Sequence, residues 1–425
     1  MSIALGIDIG TSGVRCAVIN EAGDLLAMAR TDHQTQDLDN IDAEKWWQSV
    51  QECIRALDFP LEQIERAAID GTSGTVLLVN QDGEPVSKAL MYNDKGFQDE
   101  AEVIADVAPV SHIARGNNSA LARALHLFAH HLSADQNGHC YLAHQADFIL
   151  GKFLCKAGLS DHNNALKTGF DAEKETWPDW MAGLANKYGL PACFFPQAGR
   201  VGAPAGTISP KVAQELGLSS TVQFYRGTTD SIAAHIATGA LEPGAAVSSI
   251  GTTLALKIVA KQPVDEPRLG IYSHRIGDVW LAGGASNAGG GVLMDHFSLA
   301  EIEALTPRMK PELPTGLAYY PLSAPGERFP VNDPELPGCI TPRPDDDAIF
   351  LQGLMEGVAA VEALGYEELV KLGAPKPTKI LTCGGAAKNE VWQRIRSRVT
   401  GLPVERSAHE EASIGVAKLC FLTYR

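Results

Sequence analysis

The chain has 425 residues, too many for one compact core, and a size of roughly 150 residues per domain favours two or three. A net charge of −16, from 35 basic and 51 acidic residues with no basic tract of five or more, disfavours an electrostatic grip on nucleic acid and points to small-molecule partners. Eight scattered cysteines without a C-x-x-C pair predict a reduced, cytosolic protein; an N-terminus without a basic stretch and with a carboxylate at position 8 predicts no secretion signal, and the lack of an 18-residue apolar run predicts no membrane span.

The first predicted elements are strands at 3–9, 14–20 and 25–30, joined by Gly-Thr-Ser-Gly and Glu-Ala-Gly-Asp turns. In the first turn, Gly10 and Gly13 should supply positive-φ backbone while Thr11 and Ser12 offer hydroxyls. This makes an anion cradle, with Asp8 at its lip. Apolar residues at 43, 46, 47, 50 and 54 predict a helix over 41–56 capped by Asp42. A strand at 66–69 then runs into Asp70-Gly-Thr-Ser-Gly-Thr, a second hydroxyl-rich turn at a strand end, where α/β sheets usually bind ligands. Strands at 76–79 and 89–92 lead to the polar Tyr92-Asn93-Asp94-Lys95, and helices are expected over 98–107, 120–132 and 144–153. Residues 160–165 read as a loop, and 210–216 as a helix leading to a strand at 221–225. A turn, Arg226-Gly-Thr-Thr-Asp-Ser231, follows and should open a helix over 232–238.

The second half begins again with strands, at 246–250, 254–259, 271–275 and 278–282. Its first hairpin centres on Gly251-Thr252-Thr253, a partner to the earlier cradle, and Gly283-Gly284-Ala285-Ser286-Asn287 should open a helix. After a Pro-rich stretch come a helix at 348–364, a strand at 379–383 entering Gly384-Gly385-Ala386-Ala387-Lys388-Asn389, a further helix, and an amphipathic closing helix at 408–424. Each half thus opens with a hairpin meander and adds strand-turn-helix units. This resembles the α/β plan of two ribonuclease-H-like domains, as in actin- and hexokinase-type ATPases, with a nucleotide and sugar cleft between them. The expected domains are 1–237, with 411–425 packing back as a helix, and 238–410.

Five motifs in order then resemble the FGGY carbohydrate kinases: Asp8-Ile-Gly-Thr-Ser, Gly227-Thr-Thr-Asp-Ser, Ser249-Ile-Gly-Thr-Thr, Gly283-Gly-Ala-Ser-Asn and Gly384-Gly-Ala-Ala-Lys-Asn. Asp70-Gly-Thr-Ser-Gly-Thr and Tyr92-Asn93-Asp94 are most similar to its D-ribulose-phosphorylating, xylulokinase-like branch. Typical xylulose kinases resemble Gln-Met-His-Gly where this chain has Thr72-Ser73-Gly74.

The resemblance implies a cytoplasmic kinase using ATP and Mg²⁺, with a small-molecule sugar as acceptor and no nucleic acid or membrane partner. Asp230, after a strand and at a helix start, is the expected general base. Asp8 beside a phosphate cradle makes sense if Mg²⁺ stands between them, held through water. Gly10, Thr11, Ser12 and Gly13 should meet the γ-phosphate, with Gly251, Thr252 and Thr253 closing from the other lobe. Gly384, Gly385, Ala386 and Asn389 are expected near the adenosine, together with Gly284. Ser73, Asp94, Asp230 and Asp8 are the expected sugar contacts, D-ribulose being the substrate that the branch implies, with D-xylulose or another pentulose or polyol as the alternative. From another class, an actin- or chaperone-like ATP switch shares the two hairpins. His126, His130 and His131, lacking a third ligand type, read as a packed or surface helix rather than a zinc site. Gly289-Gly290-Gly291 has no dinucleotide-binding context.

Overall fold

The structure, a computed structural model, describes residues 2–34, 41–110, 112–132 and 138–422. Residues 423 and 424 of the expected closing helix lie outside the described residues, as do 1 and 425. Two compact units emerge: 1–237 with 274–278 and 411–425, and 238–273 with 279–410.

The first unit is built on a six-stranded sheet ordered Leu25–Asp32, Gly13–Asn20, Ile3–Ile9, Arg66–Gly71, Gln223–Thr229 and Pro204–Thr207. Ile3–Ile9 is central and almost entirely buried, so it reads as a continuous apolar run, whereas the outer Leu25–Asp32 alternates exposed and half-buried residues. Three strands run parallel, bringing Asp8 opposite Asp70 and Asp70 opposite Thr228. One face of this sheet packs Leu5, Ile7, Ile69 and Phe224 with Val50, Phe148 and Val212 from helices Ala43–Arg55, Gln145–Leu154 and Pro210–Leu216.

The other face receives helix Ala412–Leu419, and the fit leaves no room for a side chain at two glycines. A Cβ on Gly6 would lie 1.9 Å from the Ser413 carbonyl oxygen, and one on Gly415 would lie 1.7 Å from that of Ala233 in helix Asp230–Ala237. A second cluster of the first unit joins the paired strands Val76–Val79 and Tyr141–His144 to helices Gln98–Val107, Ala120–His131 and Trp180–Tyr188.

The second unit arranges strands Val279–Ser286, Leu254–Ala260, Ala246–Ile250, Ile380–Cys383 and Val404–Arg406 side by side. Its central helix, Asp347–Lys371, is longer than expected and passes the length and composition test for a membrane span, with a mean hydropathy of 1.4. Burial of 78 % of that stretch inside the unit accounts for the apolar sequence, since Phe350, Leu354, Val358 and Val361 are core residues around Phe329. Within this core, Arg396 forks onto Glu362 at 2.7 and 2.6 Å, both side chains having no exposed surface. Ser248, Tyr366 and Thr382 complete the hydrogen bonding, the pattern that allows a buried ion pair to persist.

Several expectations give way to tertiary pairing. The segment from 226 to 229 is not a turn: strand Gln223–Thr229 continues through it, and the helix starts at Asp230 itself. Gly283 and Gly284 do not open a helix; they lie within Val279–Ser286, opposite Lys257 and Leu256. Residues 159–161 form a short strand and 162–166 a helical turn where a loop was expected. Strand Val404–Arg406 has no sequence forecast, being a three-residue edge.

Candidate active site

Asp8, Asp70 and Asp230 gather at the carboxyl ends of the three parallel strands of the first unit. The register places Asp8 and Asp70 side by side on one face, because partners in neighbouring strands point the same way. Asp230 opens the helix after the third strand, where the Ser231 N–H donates to its Oδ1 at 2.6 Å and the helix terminus favours a negative charge.

The three carboxylates differ in their surroundings. Asp8 is nearly buried and accepts from Arg15 Nη1 at 3.0 Å. Asp70 is fully buried, and neither of its oxygens has a hydrogen-bond partner of sound geometry although Asp8 stands beside it. Burial raises its carboxyl pKa well above the usual range, and the like charges of Asp8 and Asp230 add to the effect, against a smaller opposing influence of Arg15. Asp70 is the main residue that sequence reasoning passed over. Its signal was present, a carboxylate ending an otherwise apolar strand one position from Gly71, but only the strand register shows which acids it joins.

The first turn has the expected hairpin with a different role for its glycines. Gly10 and Gly13 are not in the positive-φ region; the turn closes by a Gly10 N–H to Gly13 carbonyl bond of 2.9 Å, with Thr11 and Ser12 exposed at its tip. Gly13 is required by packing, since a Cβ would come within 2.4 Å of the Thr31 carbonyl oxygen in the adjacent strand. His33 braces the turn, its backbone N–H donating to the Ser12 carbonyl at 2.9 Å and its ring Nε2 lying 3.0 Å from the Gly10 carbonyl.

Ser73 lies half-buried in a turn where Gly74 takes φ +84°, and Asp94 lies in a separate loop with its Oδ2 accepting from the Met91 N–H at 2.7 Å. Arg123, buried in helix Ala120–His131, joins these two loops. Its guanidinium donates to the Gly74 carbonyl at 2.9 Å and to the Asp94 carbonyl at 3.3 Å. Burial pushes its pKa down to about 10, a cost offset in part by Asp94. Thr75 adds a second tie, accepting from the Tyr92 N–H at 3.2 Å. The sequence signal for this residue is a lone arginine amid Ala-Leu-Ala-Arg-Ala-Leu, an apolar helical stretch.

In the second unit, the turn from Gly251 to Thr253 rests on the glycine run at 289–291. Gly290 and Gly291 N–H groups donate to the Gly251 and Thr252 carbonyls at 2.8 and 3.0 Å, and a Cβ on Gly289 would meet the Thr252 carbonyl at 2.5 Å. The run is therefore the bed of this hairpin. Gly284 is explained by packing, because a Cβ there would fall 2.6 Å from the Phe329 ring. Gly384 takes φ +81°, enforced by the Ile250 carbonyl 2.7 Å from a notional Cβ, and its N–H donates to Glu410 at 2.7 Å.

Gly385 is exposed and Ala386 buried in the following 3₁₀ turn. Asn389 is committed locally: its Oδ1 caps the next helix at the Trp392 N–H, 3.0 Å away, and its Nδ2 reaches Thr306 at 3.3 Å. A cleft of about 700 Å³ opens beside this turn, lined by Ala387, Lys388, Gln393, Arg394 and Arg406 among others, whereas Gly384, Gly385, Ala386 and Asn389 lie outside its lining.

Residues 3–237 match the N-terminal domain of the FGGY family of carbohydrate kinases, and residues 246–424 match its C-terminal domain. A xylulose kinase of Staphylococcus epidermidis is 22 % identical, with 98 % of this chain and 87 % of that protein covered. A gluconokinase of Bacillus subtilis is also 22 % identical, over 94 % of this chain and 83 % of its own. The crystal structure of a xyloylose kinase from Brucella ovis superimposes with a TM-score of 0.84 at 21 % identity, covering 98 % of this chain and 89 % of its own, which shows a shared fold. With both halves matched in order over nearly its whole length, the chain belongs to the FGGY family of carbohydrate kinases.

Proposed function

We propose that the protein transfers the γ-phosphoryl group of ATP to a ketopentose hydroxyl, with D-ribulose as the favoured acceptor and Asp230 as the general base. The observation that carries this reading is the grouping of Asp8, Asp70 and Asp230 at the ends of parallel strands. Asp230, half-buried at a helix start, is suited to accept the hydroxyl proton as the new O–P bond forms. Asp70, held toward its neutral form by burial and by the like charges beside it, lowers the charge of the group.

Arg15 orients Asp8, while Ser73 and Asp94, tied together through Arg123, offer hydrogen bonds to sugar hydroxyls. In this assignment the first unit handles the sugar and the second the nucleotide, with the Gly251–Thr253 and Gly384–Ala386 turns serving ATP. Asp8, with the buried, unpartnered oxygens of Asp70 beside it, is a hard donor that fits Mg²⁺, held through water. When bound, that ion would offset negative charge on the phosphate oxygens. The match of both halves to carbohydrate-kinase domains supports sugar phosphorylation over an actin- or chaperone-like ATP switch.

The departures at Thr72-Ser73-Gly74 favour D-ribulose, and the curated relatives named xylulose kinase support D-xylulose as the second reading. ADP release measured across D-ribulose, L-ribulose, D-xylulose, D-gluconate and glycerol tests both. A ketopentose should give the highest kcat/KM, and preference for gluconate or glycerol would overturn the substrate assignment. Replacement of Asp230 by Asn should lower kcat by about 10²–10⁴ in a folded protein. Near-normal turnover would remove it from the mechanism.

A further inference from the structure

The histidines of helix Ala120–His131 have the third ligand type that their sequence neighbourhood lacks. Helix Gln98–Val107 brings Glu100 against them, with His126 Nδ1 at 2.9 Å and His130 Nε2 at 3.6 Å from the same carboxylate oxygen. One ligand atom from each residue lies within 4.8 Å of the other two. Tetrahedral coordination at bond lengths of about 2.0–2.1 Å places ligand atoms roughly 3.3 Å apart, so the trio is near the required size.

We propose that Glu100, His126 and His130 form a Zn²⁺ site, with water in the fourth position, that staples helix Gln98–Val107 to helix Ala120–His131. Glu100 is only 4 % exposed, and among the described residues no lysine or arginine forms an ion pair with it, its charge partners there being His126 and His130. A cation at the trio would compensate that buried carboxylate. His126 is fixed from the other side by the edge-on ring of Phe97, with centroids 5.0 Å apart, and the helices beneath share a core of Phe97, Ile104, Leu121 and Leu125.

His130 is mostly exposed and free to complete the geometry, and its position four residues after His126 puts both rings on one helix face. His131 stands apart, its ring 5.8 Å from that of His126, and Lys88 adds a like charge beside it. Two imidazoles and one carboxylate suit zinc and disfavour Mg²⁺ or Ca²⁺, which take oxygen ligands.

The location gives the site a consequence. His126 lies one turn after Arg123, and helix Gln98–Val107 begins four residues after Asp94, so the staple would join the two segments whose contact holds the Asp94 loop.

The test uses the full-length protein stripped with a chelator, titrated with ZnCl₂ against a chromophoric zinc indicator, with thermal unfolding as a second readout. One equivalent should bind in the micromolar range or tighter, and zinc should raise the unfolding temperature of the wild type. The His130→Ala variant alters an exposed residue and should fold; its zinc affinity should fall at least tenfold and the thermal shift should vanish. Glu100→Gln should show the same loss, and Co²⁺ in place of zinc should give a four-coordinate visible spectrum in the wild type only. Absence of zinc uptake by the wild type, or equal uptake by His130→Ala, would overturn the proposal.

Discussion

Gly227 offers a quantitative link between backbone packing and the candidate base. It lies where the pairing of Gln223–Thr229 with Arg66–Gly71 shifts register, between Tyr225 and Thr228, and an added Cβ would stand 1.6 Å from the Ile69 carbonyl oxygen. Contacts closer than 3.0 Å essentially do not occur, so Gly227→Ala forces the strands apart by about 1.4 Å (3.0 less 1.6). The obstructing atom is backbone, with no flexible side chain to yield. Asp230 follows three residues later and Asp70 one residue after Ile69, so the displacement separates the carboxylates directly. A misplacement on the order of 1 Å costs roughly 10² in rate, equivalent to about 2.7 kcal/mol of transition-state stabilisation.

Overpacking of this kind also destabilises the fold by about 1–3 kcal/mol, leaving a folded fraction to assay below the unfolding transition. The measurement is steady-state ADP release with the best sugar of the panel, corrected for folded fraction by circular dichroism. Gly116→Ala serves as the control, because no atom lies within 4 Å of its notional Cβ and its φ is ordinary. Wild-type kcat and stability in Gly227→Ala would refute the argument that this contact sets the position of Asp230.

Two further predictions concern stability. Arg396→Met removes the partner of fully buried Glu362 and should cost about 3–5 kcal/mol in urea unfolding, while Arg396→Met with Glu362→Leu should recover most of that loss; equal effects of single and double variants would refute the pairing argument. His162 is buried, which pushes its pKa down to about 4, with Glu175 opposing and Arg275, Arg200 and Arg226 reinforcing. The unfolded chain binds the proton near pH 6.5 and the folded chain does not, so this stability is complete above pH 6.5 and is lost as pH falls toward 4, by at most about 1.4 kcal/mol per unit. Asp161, held up to about 6, works in the opposite sense between pH 4 and 6. His162→Phe should therefore show a shallower acid loss than the wild type in unfolding curves from pH 7 to 4.5; an unchanged slope would exclude His162 as its source.

Local pattern alone carried much of the fold. The apolar runs at 3–9 and 14–20, the Gly-Thr-Ser-Gly turn between them and the 3.6-residue stripes of 43–55 and 98–107 are short-range signals, and those elements stand close to where they were expected. Turn-forming residues also located the Asp8, Gly251 and Gly384 segments, since each depends on neighbours within a few positions.

Tertiary structure decided what long-range packing controls. Gly283 and Gly284 became strand residues because Leu256 and Lys257 pair with them and Phe329 covers one face. Gly227 stayed in a strand because Arg66–Gly71 lies alongside it; Gly6 is a glycine because a helix from the far end of the chain lies on the first strand, and Gly415 because that helix meets helix Asp230–Ala237. The meeting of Asp70 with Asp8 and Asp230, of Arg123 with two loops, and of Glu100 with His126 and His130 likewise depends on pairs separated by 26 or more residues. Periodicity tells which face of an element is apolar; only the closed fold tells which faces meet.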